Sequence, residues 1–114
     1  MRDLLSMKEV FSILTPTLQN LCSLNVRDIS LDSDIMDLLA RGCTPKLRCI
    51  GLNDCEGMNS EIMTKIVEIL TANTNITELY LNEYDMDKEV AVILGNGLRN
   101  SSVRDLHMNG YREP

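Results

Sequence analysis

The sequence contains no tryptophan, one phenylalanine and one histidine, and it carries no motif typical of an enzyme. It has no Gly-rich phosphate-binding loop and no Gly-x-Ser-x-Gly sequence. A nucleophile and its base must lie within hydrogen-bonding distance of each other. Cys49 and His107 fall at non-equivalent positions, two predicted strands apart. The sequence therefore predicts no catalytic residues and no enzyme activity.

Basic residues and long apolar runs are also scarce. The 17 Asp and Glu outnumber the 11 Lys and Arg, which gives a formal net charge of −6, whereas binding to nucleic acid requires a basic surface. No apolar run approaches the length of about 18 residues that a membrane helix needs. The stretch Met1–Leu14 carries charged residues where a signal peptide is apolar. We expect no nucleic acid partner, no membrane contact and a cytoplasmic location.

The four cysteines form no Cys-x-x-Cys pair. The spacing of Cys43, Cys49 and Cys55 matches no standard zinc site, and His107 is far away in the sequence. Free thiols are the usual state of intracellular cysteines. The sequence thus predicts no metal site and no other cofactor.

Leu, Ile, Val and Met supply most of the apolar residues, and they follow a repeated phrase. The phrase is clearest in Ile76–Leu81. It consists of an apolar residue, two variable residues, Leu, one variable residue and Leu, and Asn82 follows it. Copies begin at residues 47 and 103, and a weaker copy begins at residue 21. The four starts are 26, 29 and 27 residues apart, about the period of leucine-rich repeats. Each phrase predicts a strand, and the chain of 114 residues predicts a single domain over 1–114.

Helical patterns alternate with these phrases. The predicted strands are Leu21–Val26, Leu47–Leu52, Ile76–Leu81 and Val103–Met108. The predicted helices are Arg2–Leu14, Ile35–Ala40, Glu61–Ala72 and Lys88–Leu98. The predicted helix caps are Ser33 or Asp34, then Ser60, then Asp87, because short polar side chains accept from the first free N–H groups of a helix. Gly42 is predicted to follow the first complete helix, and Pro45 prevents that helix from continuing.

The phrases and the helices after them resemble the ribonuclease-inhibitor-like branch of the leucine-rich repeat proteins. The resemblance implies an α/β fold, a right-handed solenoid with a parallel β-sheet on the concave face and α-helices on the convex face. The first helix resembles a later returning helix, so 1–17 is predicted to be part of a first repeat. An inward Asn or Cys follows the strand in that family; Cys55 matches it, whereas Ile29, Tyr84 and Tyr111 depart from it. A compact α/β domain with strands that merely look alike is the alternative.

The variable positions of each phrase are the candidate site. Strand side chains alternate between the two faces of a sheet, so those between the inward residues point to the open face. Tyr80 and His107 occupy the same place in neighbouring phrases and are predicted to lie side by side. The candidate protein-binding residues are Arg27, Asn53, Glu78, Tyr80, Asn82, Asp105, His107 and Asn109. A solvated strand surface, with asparagines that only satisfy their neighbours, is the other interpretation.

The expected function is a protein-interaction module or scaffold that binds a protein partner through this face. One alternative, a regulator of a small GTPase, follows from the similarity of the repeat type to the leucine-rich Ran GTPase-activating proteins, although no local motif transfers their activity. A repeat segment associated with actin or with a ubiquitin ligase is another. The fourth strand leaves a sheet edge and an apolar layer uncovered. The sequence therefore also predicts end-to-end self-association or additional repeats.

Overall fold

The computed structural model describes residues 21–42 and 46–110, together with Glu9 and Ile13. Strands and helices alternate along this part of the chain. The strands are β1 (Ser23–Arg27), β2 (Cys49–Asn53), β3 (Glu78–Tyr80) and β4 (Asp105–His107). The helices are α1 (Ser33–Gly42), α2 (Ser60–Ala72) and α3 (Lys88–Arg99). Of the predicted helix Arg2–Leu14, only Glu9 and Ile13 are described, and both are helical; the rest lies outside the described residues, as do Cys43, Pro45 and Tyr111.

The four strands form one parallel sheet in the order β1-β2-β3-β4. The register places Leu24 beside Ile50, Ile50 beside Leu79, and Leu79 beside Leu106. These are the equivalent positions of the four phrases, so the predicted alignment is confirmed. The fold is therefore α/β with a four-stranded parallel sheet, and β3 and β4 are shorter than the sequence predicted.

Helix α1 begins one residue earlier than the predicted caps allow. The carboxylate of Asp32 accepts a hydrogen bond from the backbone N–H of Ile35 at 2.8 Å. Ser33 and Asp34 are already helical, so the prediction that one of them caps the helix was wrong. The helix also extends to Gly42, which was predicted to lie just beyond its end.

Helices α2 and α3 begin after an Asn and an Asp cap. Asn59 has an extended backbone, and its side-chain oxygen accepts from the N–H of Ile62 at 2.8 Å. The predicted cap Ser60 was wrong, because Ser60 lies within the first helical turn. Asp87 caps α3 as predicted, and its carboxylate accepts from the N–H of Val90 at 2.9 Å.

The core lies between the sheet and the helices. Inward side chains of β2 and β3 pack with one stripe of each helix, since burying the apolar stripe of an amphipathic helix is what stabilises it. The most buried side chains of this core, which include residues flanking β3, are Met36, Leu39, Ile50, Leu52, Met63, Ile66, Leu70, Ile76, Leu79 and Leu81. Ile29, Cys55 and Tyr84 are buried as well, so the three described residues at the predicted inward place after each strand do point inward.

The turn after each strand repeats one backbone conformation. Asp28, Asp54, Glu83 and Gly110 all have positive φ, of 59°, 48°, 63° and 73°. They are separated by the same intervals as the four phrases. Non-glycine residues rarely adopt this conformation. Its recurrence at equivalent positions shows that the turns, as well as the strands, follow the period of the sequence.

Candidate binding face of the sheet

The sheet face opposite the helices carries all the candidate residues. Alternation along β1 leaves Ser23, Asn25 and Arg27 exposed, while Leu24 and Val26 are half-buried. The register arranges the outward side chains of successive strands in rows. The first row is Ser23, Cys49, Glu78 and Asp105; the second is Asn25, Gly51, Tyr80 and His107; the third contains Arg27 and Asn53 and continues to Asn82 and Asn109.

Tyr80 and His107 stack on each other in the second row. Their ring centroids are 4.1 Å apart and their planes differ by 6°. The parallel register of β3 and β4 produces this contact directly, because it places the two residues on adjacent strands at the same height. The sequence predicted this adjacency from the equivalent positions of the two residues.

Glu78, in the first row, hydrogen-bonds one of these rings and lies close to the other. The Tyr80 hydroxyl donates to Oε2 of Glu78 at 3.0 Å, and Nε2 of His107 lies 3.9 Å from the same oxygen. The hydrogen bond to Glu78 raises the pKa of Tyr80, with smaller contributions from burial and from neighbouring acidic groups. The phenol therefore keeps its proton, and its hydrogen bond to Glu78, to a higher pH than a free tyrosine would. We call Glu78, Tyr80, Asp105 and His107 the Tyr80 patch.

Three of the predicted residues form an asparagine ladder along the edge of the face. The side-chain oxygen of Asn53 accepts from the backbone N–H of Asn82 at 3.1 Å. The side-chain oxygen of Asn82 accepts from the N–H of Asn109 at 2.7 Å. The amide oxygens of Asn53 and Asn82 are thus engaged within the protein. For Asn53 and Asn82 these contacts favour the alternative named above, in which the asparagines satisfy the hydrogen bonds of their neighbours and do not bind a partner.

Arg27 lies apart from the Tyr80 patch. Its guanidinium forms an ion pair of 2.9 Å with Glu83, across the end of β2. Both side chains are largely exposed, 54% and 40%, and exposed pairs contribute about 0–1 kcal/mol at most. Glu83 is not among the residues predicted from the sequence, because it lies in the turn just beyond the phrase.

Gly51 leaves a gap in the second row between Asn25 and Tyr80. A Cβ at Gly51 would collide with the side-chain amide of Asn25, which lies over the glycine. Asn25 is held there by a hydrogen bond from its Nδ2 to Oγ of Ser23 at 3.1 Å. No side chain of β2 therefore stands between Asn25 and the Tyr80 ring.

Within the described part of the chain, no three His, Cys, Asp or Glu side chains come close enough to hold a metal ion. The thiols of Cys22, Cys49 and Cys55 are free. None of the helices in the ranges given above has the length and apolar character needed to cross a bilayer. The face thus offers a stacked pair of rings, exposed carboxylates and amides, which suit recognition of another molecule.

The chain was compared with family models, with curated proteins and with solved structures, and no match was found.

Proposed function

We propose that the protein is a leucine-rich-repeat solenoid that binds a protein partner through the open face of its sheet. The Tyr80 patch is the centre of the proposed site. The observation that carries the proposal is the Tyr80–His107 stack on the open sheet face, with the Glu78 carboxylate bonded to the Tyr80 hydroxyl and close to His107.

The recurrence of the same contacts supports the solenoid. Where two neighbouring strands begin, one backbone carbonyl before or near the first strand accepts hydrogen bonds from two successive backbone N–H groups at the start of the second. The accepting carbonyls belong to Cys22, Arg48 and Thr77, and the donors are Arg48 with Cys49, Thr77 with Glu78, and Arg104 with Asp105. This repetition accompanies the recurring positive-φ turn. Repeat proteins stack equivalent units in this way, because each unit contacts mainly its neighbours.

The order of the Tyr80 patch supports binding. Tyrosine and its neighbours contribute most to an interface when they lose little conformational freedom on binding. Tyr80 is already fixed by the His107 ring and by Glu78. An ordered aromatic ring that is still accessible from one side is therefore a suitable anchor for a partner.

The charge of the patch indicates the chemistry of the partner. Glu78 and Asp105 lie side by side in the first row, and the side chain of Glu78 is 40% exposed. The chain as a whole has a formal net charge of −6. A partner segment with a Lys or Arg next to an apolar group would match both the carboxylates and the ring. The same charge disfavours nucleic acid.

The proposal also includes the predicted absence of catalysis and the predicted location. The protein acts as a scaffold without catalysis of its own, and its place is the cytoplasm, with which the free thiols are compatible. Regulation of a small GTPase is the alternative from the resemblance, and no contact on the face favours it over a scaffold.

The test uses capture from the native extract, followed by direct binding measurements with the purified partner. Tyr80→Ala is expected to weaken partner binding at least tenfold, with little change in the melting temperature. Val92→Ala is the matched control, because Val92 is 50% exposed and lies on α3, away from this face. Wild-type affinity in the Tyr80→Ala variant would refute the site. If the partner is a small GTPase, a GTP hydrolysis assay separates regulation from scaffolding.

A further inference from the structure

None of the described residues covers the outer side of the apolar layer formed by α3 and β4. Leu106 is 39% exposed, whereas its register neighbours Leu79 and Ile50 are 0% and 2% exposed. A groove of about 460 Å³ lies there, lined by Leu106 and Met108 and by Ala91 and Leu98 of α3. An exposed apolar groove of this kind marks an interaction surface.

The backbone of β4 also has hydrogen-bonding groups that face the open edge of the sheet. The N–H of Asp105 donates to the carbonyl of Thr77, and the carbonyl of His107 accepts from the N–H of Leu81. In a parallel pair, residues that bond one neighbour alternate with residues whose groups point the other way. The N–H and C=O of Leu106 therefore point to the open edge of the sheet.

The outer side of α3 is shaped for close approach. At Gly95, no heavy atom of the described residues lies within 4 Å of where a Cβ would be. Val67 is the residue of α2 equivalent to Gly95, counted from the helix cap. Helix α3 covers Val67 at Gly97. Ala91 and Gly95 lie one turn apart on α3 and both line the groove. Small residues at this spacing allow another helix to come near.

We infer that a second copy of this chain covers the groove, related to the first by a two-fold axis next to Leu106. The two β4 strands then pair in antiparallel fashion, with Leu106 opposite its own copy. Both Leu106 residues exchange N–H and C=O hydrogen bonds, and their side chains fill the apolar groove between the two α3 helices. The result is one continuous sheet of two copies.

Charge complementarity favours this arrangement over head-to-tail stacking. Antiparallel pairing about Leu106 places Asp105 opposite His107 of the second copy, so that a carboxylate meets an imidazole N–H. Stacking β4 on β1 of another copy would instead place Asp105 beside Ser23 and His107 beside Asn25, with no such pairing. It would also leave the assembly open-ended, whereas a two-fold interface closes as a dimer. The interface uses Asp105 and His107 of the Tyr80 patch and leaves Tyr80 outside. Self-association is measured without any partner protein, so failure of the dimer and failure of the proposed function can be told apart.

Sedimentation velocity over a range of concentrations tests the assembly. The wild-type chain is expected to reach the mass of a dimer and no more. Leu106→Glu is expected to raise the dissociation constant more than tenfold, since it places two carboxylates opposite each other in an apolar groove. Val92→Glu is the control and should dimerise like wild type. A strictly monomeric wild type, or growth beyond the dimer as in head-to-tail stacking, would overturn the inference.

A cysteine placed at Leu106 tests the register. Opposite residues in a hydrogen-bonded antiparallel pair have Cα atoms about 5.5 Å apart, within the range for a disulfide. Leu106→Cys is expected to form a 106–106 disulfide between chains when oxidised glutathione is added, as mapped by peptide mass spectrometry. Val92→Cys is the control. Equal cross-linking of the two variants would refute the two-fold geometry, even if dimers form.

Discussion

The phenolic oxygen of Tyr84 accepts a hydrogen bond from the backbone N–H of Cys55, 3.2 Å away. Tyr84 follows β3 and Cys55 follows β2, and both are buried at equivalent positions of their turns. The contact therefore joins two successive turns through a side chain. The resemblance implies an Asn or Cys at this place, whereas here the Tyr84 hydroxyl reaches the backbone of the preceding turn.

Tyr84→Phe should lower the free energy of unfolding by about 1–2 kcal/mol. The ring still fills the core, but the buried N–H of Cys55 loses its partner, and an unsatisfied buried donor costs about that much. Urea denaturation measures the change. Tyr80→Phe is the matched control, because the Tyr80 hydroxyl bonds a half-exposed carboxylate on the open face. Equal losses in the two variants would contradict this role of Tyr84.

Tyr84 should also make stability depend on alkaline pH. Burial, followed by the neighbouring Cys55, raises the pKa of Tyr84 above its ordinary value of 10.0. The stabilisation is complete below the unfolded value of about 10 and is lost as the pH rises beyond it, because the unfolded chain then binds fewer protons than the folded one. The stability difference between wild type and Tyr84→Phe should shrink above pH 10 in denaturation experiments. A constant difference across that range would show that Tyr84 ionises normally.

The strand register could be predicted because the sequence repeats it. Leu24, Ile50, Leu79 and Leu106 hold one place in four phrases, and parallel pairing of equivalent strands aligns them. The stacking of Tyr80 follows from the same logic, since the outward residues share that register. These features depend on the repeat period and on the alternation of inward and outward strand residues, and both can be read directly from a sequence.

The turns could not be predicted in the same detail. Asn59 and Ser60 are both good helix caps, and the path of the chain out of the preceding turn decides that Asn59 takes the role. Asp54 and Glu83 adopt positive φ although neither is a glycine, so composition gives no indication of it. The pair between Arg27 and Glu83 depends on that turn geometry as well.

Asn82→Ala should reduce stability rather than binding alone. The side-chain oxygen of Asn82 accepts from the backbone N–H of Asn109 at 2.7 Å. The backbone N–H of Asn82 donates to the side chain of Asn53, and this bond remains in the alanine variant. Removing the side-chain amide breaks the link from Asn82 to Asn109, at a cost of about 0.5–1.5 kcal/mol. Thermal unfolding measures this, with Tyr80→Ala as the comparison, because we place Tyr80 in the binding site. An unchanged melting temperature for Asn82→Ala would return Asn82 to the set of purely binding residues.

Two glycines of α3 should respond to alanine in opposite directions. Gly95 has open space where a Cβ would be, so Gly95→Ala should raise the free energy of unfolding of the monomer by about 0.5–1 kcal/mol through helix propensity. A Cβ at Gly97 would overlap both Cγ atoms of Val67 on α2, so Gly97→Ala should lower it by about 1–3 kcal/mol.

Val67→Ala provides the control for this pair, because it removes the atoms with which the methyl group introduced by Gly97→Ala would collide. The double variant of Val67 and Gly97 should lose less stability than the sum of the two single variants, whereas Val67→Ala combined with Gly95→Ala should be additive. Chemical denaturation of the single and double variants at concentrations below dimer formation measures these differences in stability. Destabilisation by Gly97→Ala that Val67→Ala does not relieve would place the close contact elsewhere than between α2 and α3.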